Sequence, residues 1–324
     1  MRMLSIAAGA ALAAATALIP AAHAQEYPTR PIRVIVPFSP GTGSDVLGRV
    51  LAQKLSEQLG QTVVIDNRPG GSGAMGTDMT ARAAPDGYTL TLATNATLVT
   101  FPLLSPSAAK YKADKDFTPI SFFARTSMMV ITANTPATPK TIGELVSTIK
   151  AKPVTFASNG AGTIGHLVTE AFLLNQNLKA THVAYKGSGN SHPDVLRGEV
   201  LFMTDTPAAA LGNIRAGRFR ALAITGDSRL DALPDVPTFE ESGIKNMNLY
   251  AWWGIFGPVG MQKNVVQKLD SEIRKAVQSP DVKARLRSLE LQEFLLPPEK
   301  YTPFLQGELR YWQAFLKQTG IRLD

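Results

Sequence analysis

The chain has 324 residues, long for one hydrophobic core and comfortable for two domains, and its 44% apolar and 18% charged content is that of a globular protein. Thirty-three Lys+Arg against 26 Asp+Glu give a formal charge of +7. The absence of cysteine excludes disulfides, thiolate nucleophiles, thiolate-bound zinc and iron–sulfur clusters, and four histidines make a multi-histidine metal site unexpected.

At the N-terminus, Arg2 precedes an apolar stretch from Leu4 to Ile19, Pro20 breaks it, and Ala22-His23-Ala24 has the small-x-small form of a cleavage site. Residues 1–24 are therefore predicted to be a secretory signal peptide cut after Ala24. The segment is too short and Ala-rich to favour a membrane anchor, and no cysteine follows it to carry a lipid. Export of this kind places the mature chain in a bacterial periplasm. A basic surplus there suits anionic ligands, and with no Lys/Arg run interleaved with aromatics, nucleic acid is not an expected partner.

Ile32 to Val36 is a β-branched run bounded by prolines, the pattern of a buried strand. It leads into a turn-rich loop, Phe38, Ser39, Pro40, Gly41, Thr42, Gly43, Ser44 and Asp45, and then a helix with Leu47, Leu51 and Leu55 on one face, stopped by Gly60. A strand over 62–65, a helix over 75–84, the Pro85-Asp86-Gly87 turn and a strand over 88–93 complete a parallel βαβαβ unit that ends at Thr94-Asn95. A second unit follows. A strand over 154–157 leads to the loop Ser158-Asn159-Gly160-Ala161-Gly162-Thr163 and a helix carrying His166, and a strand over 181–185 leads to Lys186-Gly187-Ser188-Gly189-Asn190. A strand over 200–203 ends at Asp205, and another covers 220–225. The last third reads as a strand over 250–256 containing Trp252-Trp253, then helices near 263–278, 280–289 and 299–318. These helices need a sheet, so the chain is expected to cross back. Residues 25–124 plus 250–324 would form one discontinuous lobe and residues 125–249 the other, each an α/β layer with a mixed, mostly parallel sheet flanked by helices.

Ligands of open α/β sheets sit beyond the carboxyl ends of the strands, where helix N-termini offer unpaired N–H groups with partial positive charge. The loops at 38–45, 158–163 and 186–190 have that place and the small residues that permit close approach. Hydroxyls of Ser39, Thr42, Ser44, Ser158, Thr163 and Ser188 add expected donors. For any one loop the alternative is an ordinary turn, with glycine for positive φ and Ser, Thr or Asp as caps. Asp45 is read first as a partner of its helix N-terminus, His166 as a helix-face or ligand-contact residue, and Asp205 as a cleft residue.

Enzyme motifs are poorly represented. Gly71-Ser72-Gly73-Ala74-Met75-Gly76 fits G-x-G-x-x-G, but Thr94-Asn95 stands where a dinucleotide site wants an acid. Ser158, His166 and Asp205 supply the residue types of a triad without supporting spacing. No catalytic residue, metal or cofactor is expected.

Several runs resemble one family along the whole mature chain: Tyr27-Pro28-Thr29-Arg30-Pro31-Ile32-Arg33-Val34-Ile35-Val36-Pro37-Phe38, Val64-Ile65-Asp66-Asn67-Arg68-Pro69-Gly70, Ala84-Pro85-Asp86-Gly87-Tyr88-Thr89-Leu90, Val183-Ala184-Tyr185-Lys186-Gly187-Ser188, Arg220-Ala221-Leu222-Ala223-Ile224-Thr225 and Ala232-Leu233-Pro234-Asp235-Val236-Pro237-Thr238. In order and spacing they resemble the Bug-type solute-binding proteins of tripartite tricarboxylate transporters. The resemblance implies a two-lobed, type II periplasmic-binding-protein-like fold that closes on a carboxylate and delivers it to a two-component membrane permease. It implies that loop backbone, hydroxyls and waters hold the carboxylate, with contacts on Phe38 to Asp45, Thr94, Asn95, Ser158 to Thr163, Lys186, Gly187, Ser188 and Asp205. The sequence departs from the family where Thr42 interrupts the glycines of the first loop, Ser39 replaces a proline and Thr206 follows Asp205. Citrate-like acids, dicarboxylates, acidic amino acids and aromatic carboxylates all remain open as ligands.

The leading expectation is thus a monomeric transport receptor; a receptor for a membrane sensor kinase and a periplasmic hydrolase are the alternatives. The carboxylate is expected on the helix N-termini near Ser44 and Thr163, with Lys186 the next candidate. Gly43 is expected to be required for close approach, with backbone strain on replacement by Val, and the Thr163 hydroxyl is expected to donate to the ligand.

Overall fold

A computed structural model describes residues 27–323. The expected signal peptide and its cleavage site lie outside the described residues. Strand β1 (Ile32–Val36) leads into helix α1 (Gly43–Leu59), capped at its start by Thr42, whose side chain accepts from the Asp45 N–H, and at its end by Gly60 at φ 64°. Strand β2 (Val63–Asn67), helix α2 (Ala74–Ala81) and strand β3 (Thr89–Thr94) follow. β1 lies between β2 and β3, parallel to both.

Residues 95–153 carry elements with no counterpart among the sequence expectations. A π-helical turn (Ala96–Thr100) runs into α3 (Phe101–Leu104), then strand β4 (Phe117–Ser127), strand β5 (Met129–Ala133) and helix α4 (Ile142–Ala151). The second layer adds β6 (Thr155–Ser158), α5 (Ile164–Asn175), β7 (Thr181–Ala184), α6 (Ser188–Arg197), β8 (Phe202–Asp205), α7 (Pro207–Arg215) and β9 (Phe219–Ile224). The chain returns through β10 (Tyr250–Pro258), α8 (Lys263–Gln278), α9 (Pro280–Ser288), the short β11 (Gln292–Glu293) and α10 (Tyr301–Thr319).

Two mixed sheets result, giving a two-lobed α/β fold. The first has the order β11-β4-β10-β3-β1-β2, with β10 antiparallel to both β3 and β4; the second is β7-β6-β8-β5-β9, with β5 antiparallel to β8 and β9. The chain changes sheet twice, once through Met128 alone and once between Thr225 and Tyr250. One apolar cluster joins β1, β3, α1 and α8 through Ile32, Leu92, Leu51 and Ile273, and another fills the second sheet around Ile131, Ala157 and Met203. A third is continuous between the layers, from Phe122 and Trp252 through Phe101 and Leu104 to Phe156 and Phe172, and takes in Trp312 and Phe315 of α10.

Candidate functional site

On the first sheet, the loop after β1 turns into α1 beneath a carboxylate. Asp45, 3% exposed, accepts from the Gly41 N–H at 2.9 Å, Arg49 Nε at 3.1 Å and Asn67 Nδ2 at 2.9 Å. Burial pushes its carboxyl up, but these donors outweigh it and hold the pKa below the ordinary aspartate value. Asp45 therefore organises the loop, in keeping with its reading as a partner of the helix N-terminus. Phe38 gives its carbonyl to Asn67 Nδ2 at 3.1 Å, and Thr42 donates its hydroxyl to the Ser39 carbonyl at 2.9 Å. The N–H groups of Gly43 and Ser44 have no acceptor among the described residues. At the carboxyl end of β3, Thr94 exchanges bonds with Thr97, while Asn95 accepts from the Ala96 N–H and donates to the Tyr250 carbonyl at 3.0 Å. Trp253 Nε1 donates to Ser44 Oγ at 2.9 Å. Both the 94–95 turn and the α1 N-terminus are thus tied to the first residues of β10, next to the second crossing between sheets.

On the second sheet Asp205 is the hub. It is fully buried at the end of β8 and accepts from Asn159 Nδ2 at 2.9 Å, Ser188 Oγ at 2.8 Å, its neighbour Thr206 N–H at 2.8 Å, and pairs with His192 Nε2 at 2.8 Å. Its oxygens are occupied, so it locks the 158–163 and 186–188 loops together from below. Asn213 Nδ2 lies 3.3 Å from His192 Nδ1, which suits the tautomer with the proton on Nε2, facing Asp205. Ser158 Oγ sits 2.6 Å from His182 Nε2 and 3.0 Å from the Gly160 carbonyl. The His182 ring stacks on His166 at 3.8 Å, and His166 Nδ1 accepts from the Gly162 N–H. The N–H groups of Ile164 and Gly165, and of Ser188 and Gly189, have no acceptor among the described residues. Lys186 is exposed and makes no hydrogen bond or ion pair among the described residues. Gly187, at φ 103°, has open space where a Cβ would stand.

The two halves meet at Gly162. A Cβ there would come within 2.7 Å of Leu323 Cδ1 and 3.0 Å of Leu104 Cδ1, and the Leu323 N–H donates to the Leu104 carbonyl at 2.9 Å. The 158–163 loop thus packs on the segment that continues from the 94–95 turn. No hydrogen bond joins the α1 set to the Asp205 set among the described residues.

Two sequence expectations need correction. Of the six hydroxyls counted as donors, four spend their proton inside the protein: Thr42 on Ser39, Thr163 on the Gly160 carbonyl at 2.8 Å, Ser188 on Asp205, and Ser158 on Gly160 or His182. Only the Ser39 and Ser44 protons are uncommitted among the described residues. Gly43 has an ordinary φ, and a Cβ added to it would meet nothing within 4 Å, so the strain expected of a larger residue is absent. Separately, Ser158 pairs with His182 and Asp205 with His192. Sequence reading missed His182, His192 and Trp253 as parts of this network. His192 stands mid-way along α6 and Trp253 well inside β10, so no local signal marks them.

A profile described as "Tripartite tricarboxylate transporter family receptor" matches residues 47–321. The chain belongs to this family. Bordetella pertussis BugT is 35% identical over 302 residues, 93% of this chain and 92% of BugT. Among solved structures, R. palustris Rpa4515 with adipate is 29% identical with a TM-score of 0.79, covering 92% of this chain and 99% of that one. MatC from Rhodopseudomonas palustris with bound malate is 28% identical with a TM-score of 0.74, covering 90% and 100%. Receptors of this family bind solutes and are not enzymes.

Proposed function

We propose that this family receptor captures a small dicarboxylate or related carboxylate between its lobes in the periplasm and hands it, as a monomer, to a two-component membrane permease. The observation that carries the reading is the set of unpaired N–H groups at the starts of α1, α5 and α6, drawn from both sheets at the carboxyl ends of strands. A carboxylate has two oxygens and about four lone-pair sites, which two helix starts and the Ser44 hydroxyl satisfy without a buried cation. The ligands named for Rpa4515 and MatC, adipate and malate, are both dicarboxylates. The moving units in this reading are residues 27–124 with 250–323 and residues 125–249, turning about the paired crossings at Met128 and Thr225.

The test is a thermal-shift panel of adipate, malate, citrate, glutamate and benzoate. A ligand at 100 times its Kd stabilises the native state by about 2.7 kcal/mol. At least one acid should raise the melting temperature; a panel without effect contradicts the reading.

A further inference from the structure

A groove of about 620 Å³ lies between α10 and the arm of residues 105–116 that links α3 to β4, and it shares no residue with the loops at 38–45, 94–95, 158–163 or 186–190. The arm is pinned where it forms the groove wall. The Tyr111 hydroxyl donates to the Thr97 carbonyl in the π-helical turn, and the Lys112 N–H donates to the Asp116 carboxylate at 2.7 Å. Tyr111 also meets Phe117 edge-on at 5.7 Å. The opposite wall, α10, is anchored by Trp312 and Phe315 in the core. The fold itself therefore shapes the groove, and its volume is that of a small-molecule site.

The floor is apolar. Leu98 and Tyr111 are buried there, while Leu103, Ala109 and Leu309 are only half-buried, so part of their apolar surface is left uncovered. The rim is cationic. Lys112, Lys115 and Arg310 are exposed, and their side chains make no hydrogen bond, ion pair or ring contact among the described residues. Asp114 is the one acid of the lining and is itself unpaired, so three cations against one carboxylate leave a positive surplus. A molecule with an apolar body and one anionic head answers both features: the body covers the floor and the head meets the rim. A neutral chain leaves the rim unanswered, and a bare anion leaves the floor wet. We propose that this groove is a second binding site, for a small amphipathic acid. The proposal stands apart from the receptor reading, so either survives failure of the other.

The experiment follows methyl and aromatic NMR signals of the full chain with octanoate, 1-octanol and acetate as probes. Octanoate should move the Leu98 and Leu309 methyls and the Tyr111 ring to saturation, while acetate, the head without the body, should leave them still. 1-Octanol, the body without the head, should bind about 3- to 10-fold more weakly than octanoate, the worth of two or three exposed ion pairs. Lys112→Gln, Lys115→Gln and Arg310→Gln combined in one chain should erase that difference. The melting temperature should stay unchanged, because these side chains hold nothing else in place. Leu309→Gln should weaken acid and alcohol alike. Octanoate shifts that are absent or never saturate, equal affinity for acid and alcohol in the wild type, or a difference that persists in the triple variant would each overturn the proposal.

Discussion

The Met128 N–H donates to Thr225 Oγ1 at 2.8 Å, and the Thr225 N–H returns a bond to the Met128 carbonyl at 2.8 Å. These residues are the two points at which the chain leaves one sheet for the other, so the exchange clasps the crossings side by side. Thr225 Oγ1 also donates to the Leu249 carbonyl just before β10, and all of this is buried.

Thr225→Val keeps the shape and removes both side-chain bonds. It should cost about 1–3 kcal/mol, because the buried Met128 N–H and Leu249 carbonyl each lose a partner. Chemical denaturation measures this; a loss below the error of the extrapolation would show that the clasp is not holding the crossings.

Thr163 separates capping from ligand contact. Its hydroxyl donates to Gly160 and it caps α5 towards His166, so Thr163→Val should cost about 1 kcal/mol of stability. Carboxylate affinity measured by calorimetry should change by less than about 5-fold, below the loss expected for a bond to a charged group. A larger loss with unchanged stability would put the hydroxyl back on the ligand.

How far such distinctions are legible from sequence depends on range. The segments 38–45, 158–163 and 186–190 stand out because glycine and hydroxyl residues follow apolar runs, and in the structure each leads from a strand into the start of a helix. Who bonds to whom is not legible. Ser44 and Trp253 are 209 positions apart, and Asp205 draws on Asn159 from one loop and on Ser188 and His192 from α6. In the fold, β4 and β5 are hidden because both faces are largely buried, so Phe117–Ser127 shows no alternation, and because a single residue joins them. The helix α4 does carry a local signal, Thr141 followed by Glu144: the Glu144 N–H donates to Thr141 Oγ1, and the Glu144 carboxylate accepts from the Lys140 N–H just ahead of the cap.

Asp205 should behave as a structural hub. Asp205→Ala leaves His192, Ser188, Asn159 and the Thr206 N–H without their acceptor and should cost about 3–5 kcal/mol. Ser188→Ala removes one of those donors and should cost about 1.5–3 kcal/mol. Hydrogen exchange should show the 158–163 and 186–190 backbones opening faster in Asp205→Ala. Unchanged exchange there would contradict the hub.

Acid should loosen the same region. Burial pulls the His182 pKa down from 6.5 to about 4, the nearby His166 acts in the same direction and Glu170 opposes. Between those values the unfolded chain takes up a proton that the native His182 refuses, so this contribution to stability is full above pH 6.5 and is lost as pH falls towards 4. An NMR titration of the ring should give a midpoint well below 6; a midpoint near 6.5 would show that the stack does not exclude the charge.

If backbone N–H groups at helix starts, rather than a cation, hold the carboxylate, Gly43 offers the cleanest way to reach them. Its φ is ordinary and a Cβ there meets nothing within 4 Å, so Gly43→Val should change stability by no more than about 0.5 kcal/mol. Its branched side chain would nevertheless stand over the unpaired N–H groups of Gly43 and Ser44. Calorimetric titration of wild type and Gly43→Val with the acid that gives the largest thermal shift is the decisive measurement. The expected result is a folded variant with an unchanged melting temperature and no measurable heat of binding. A folded Gly43→Val protein that binds as tightly as wild type would contradict helix-start capture and move attention to Lys186.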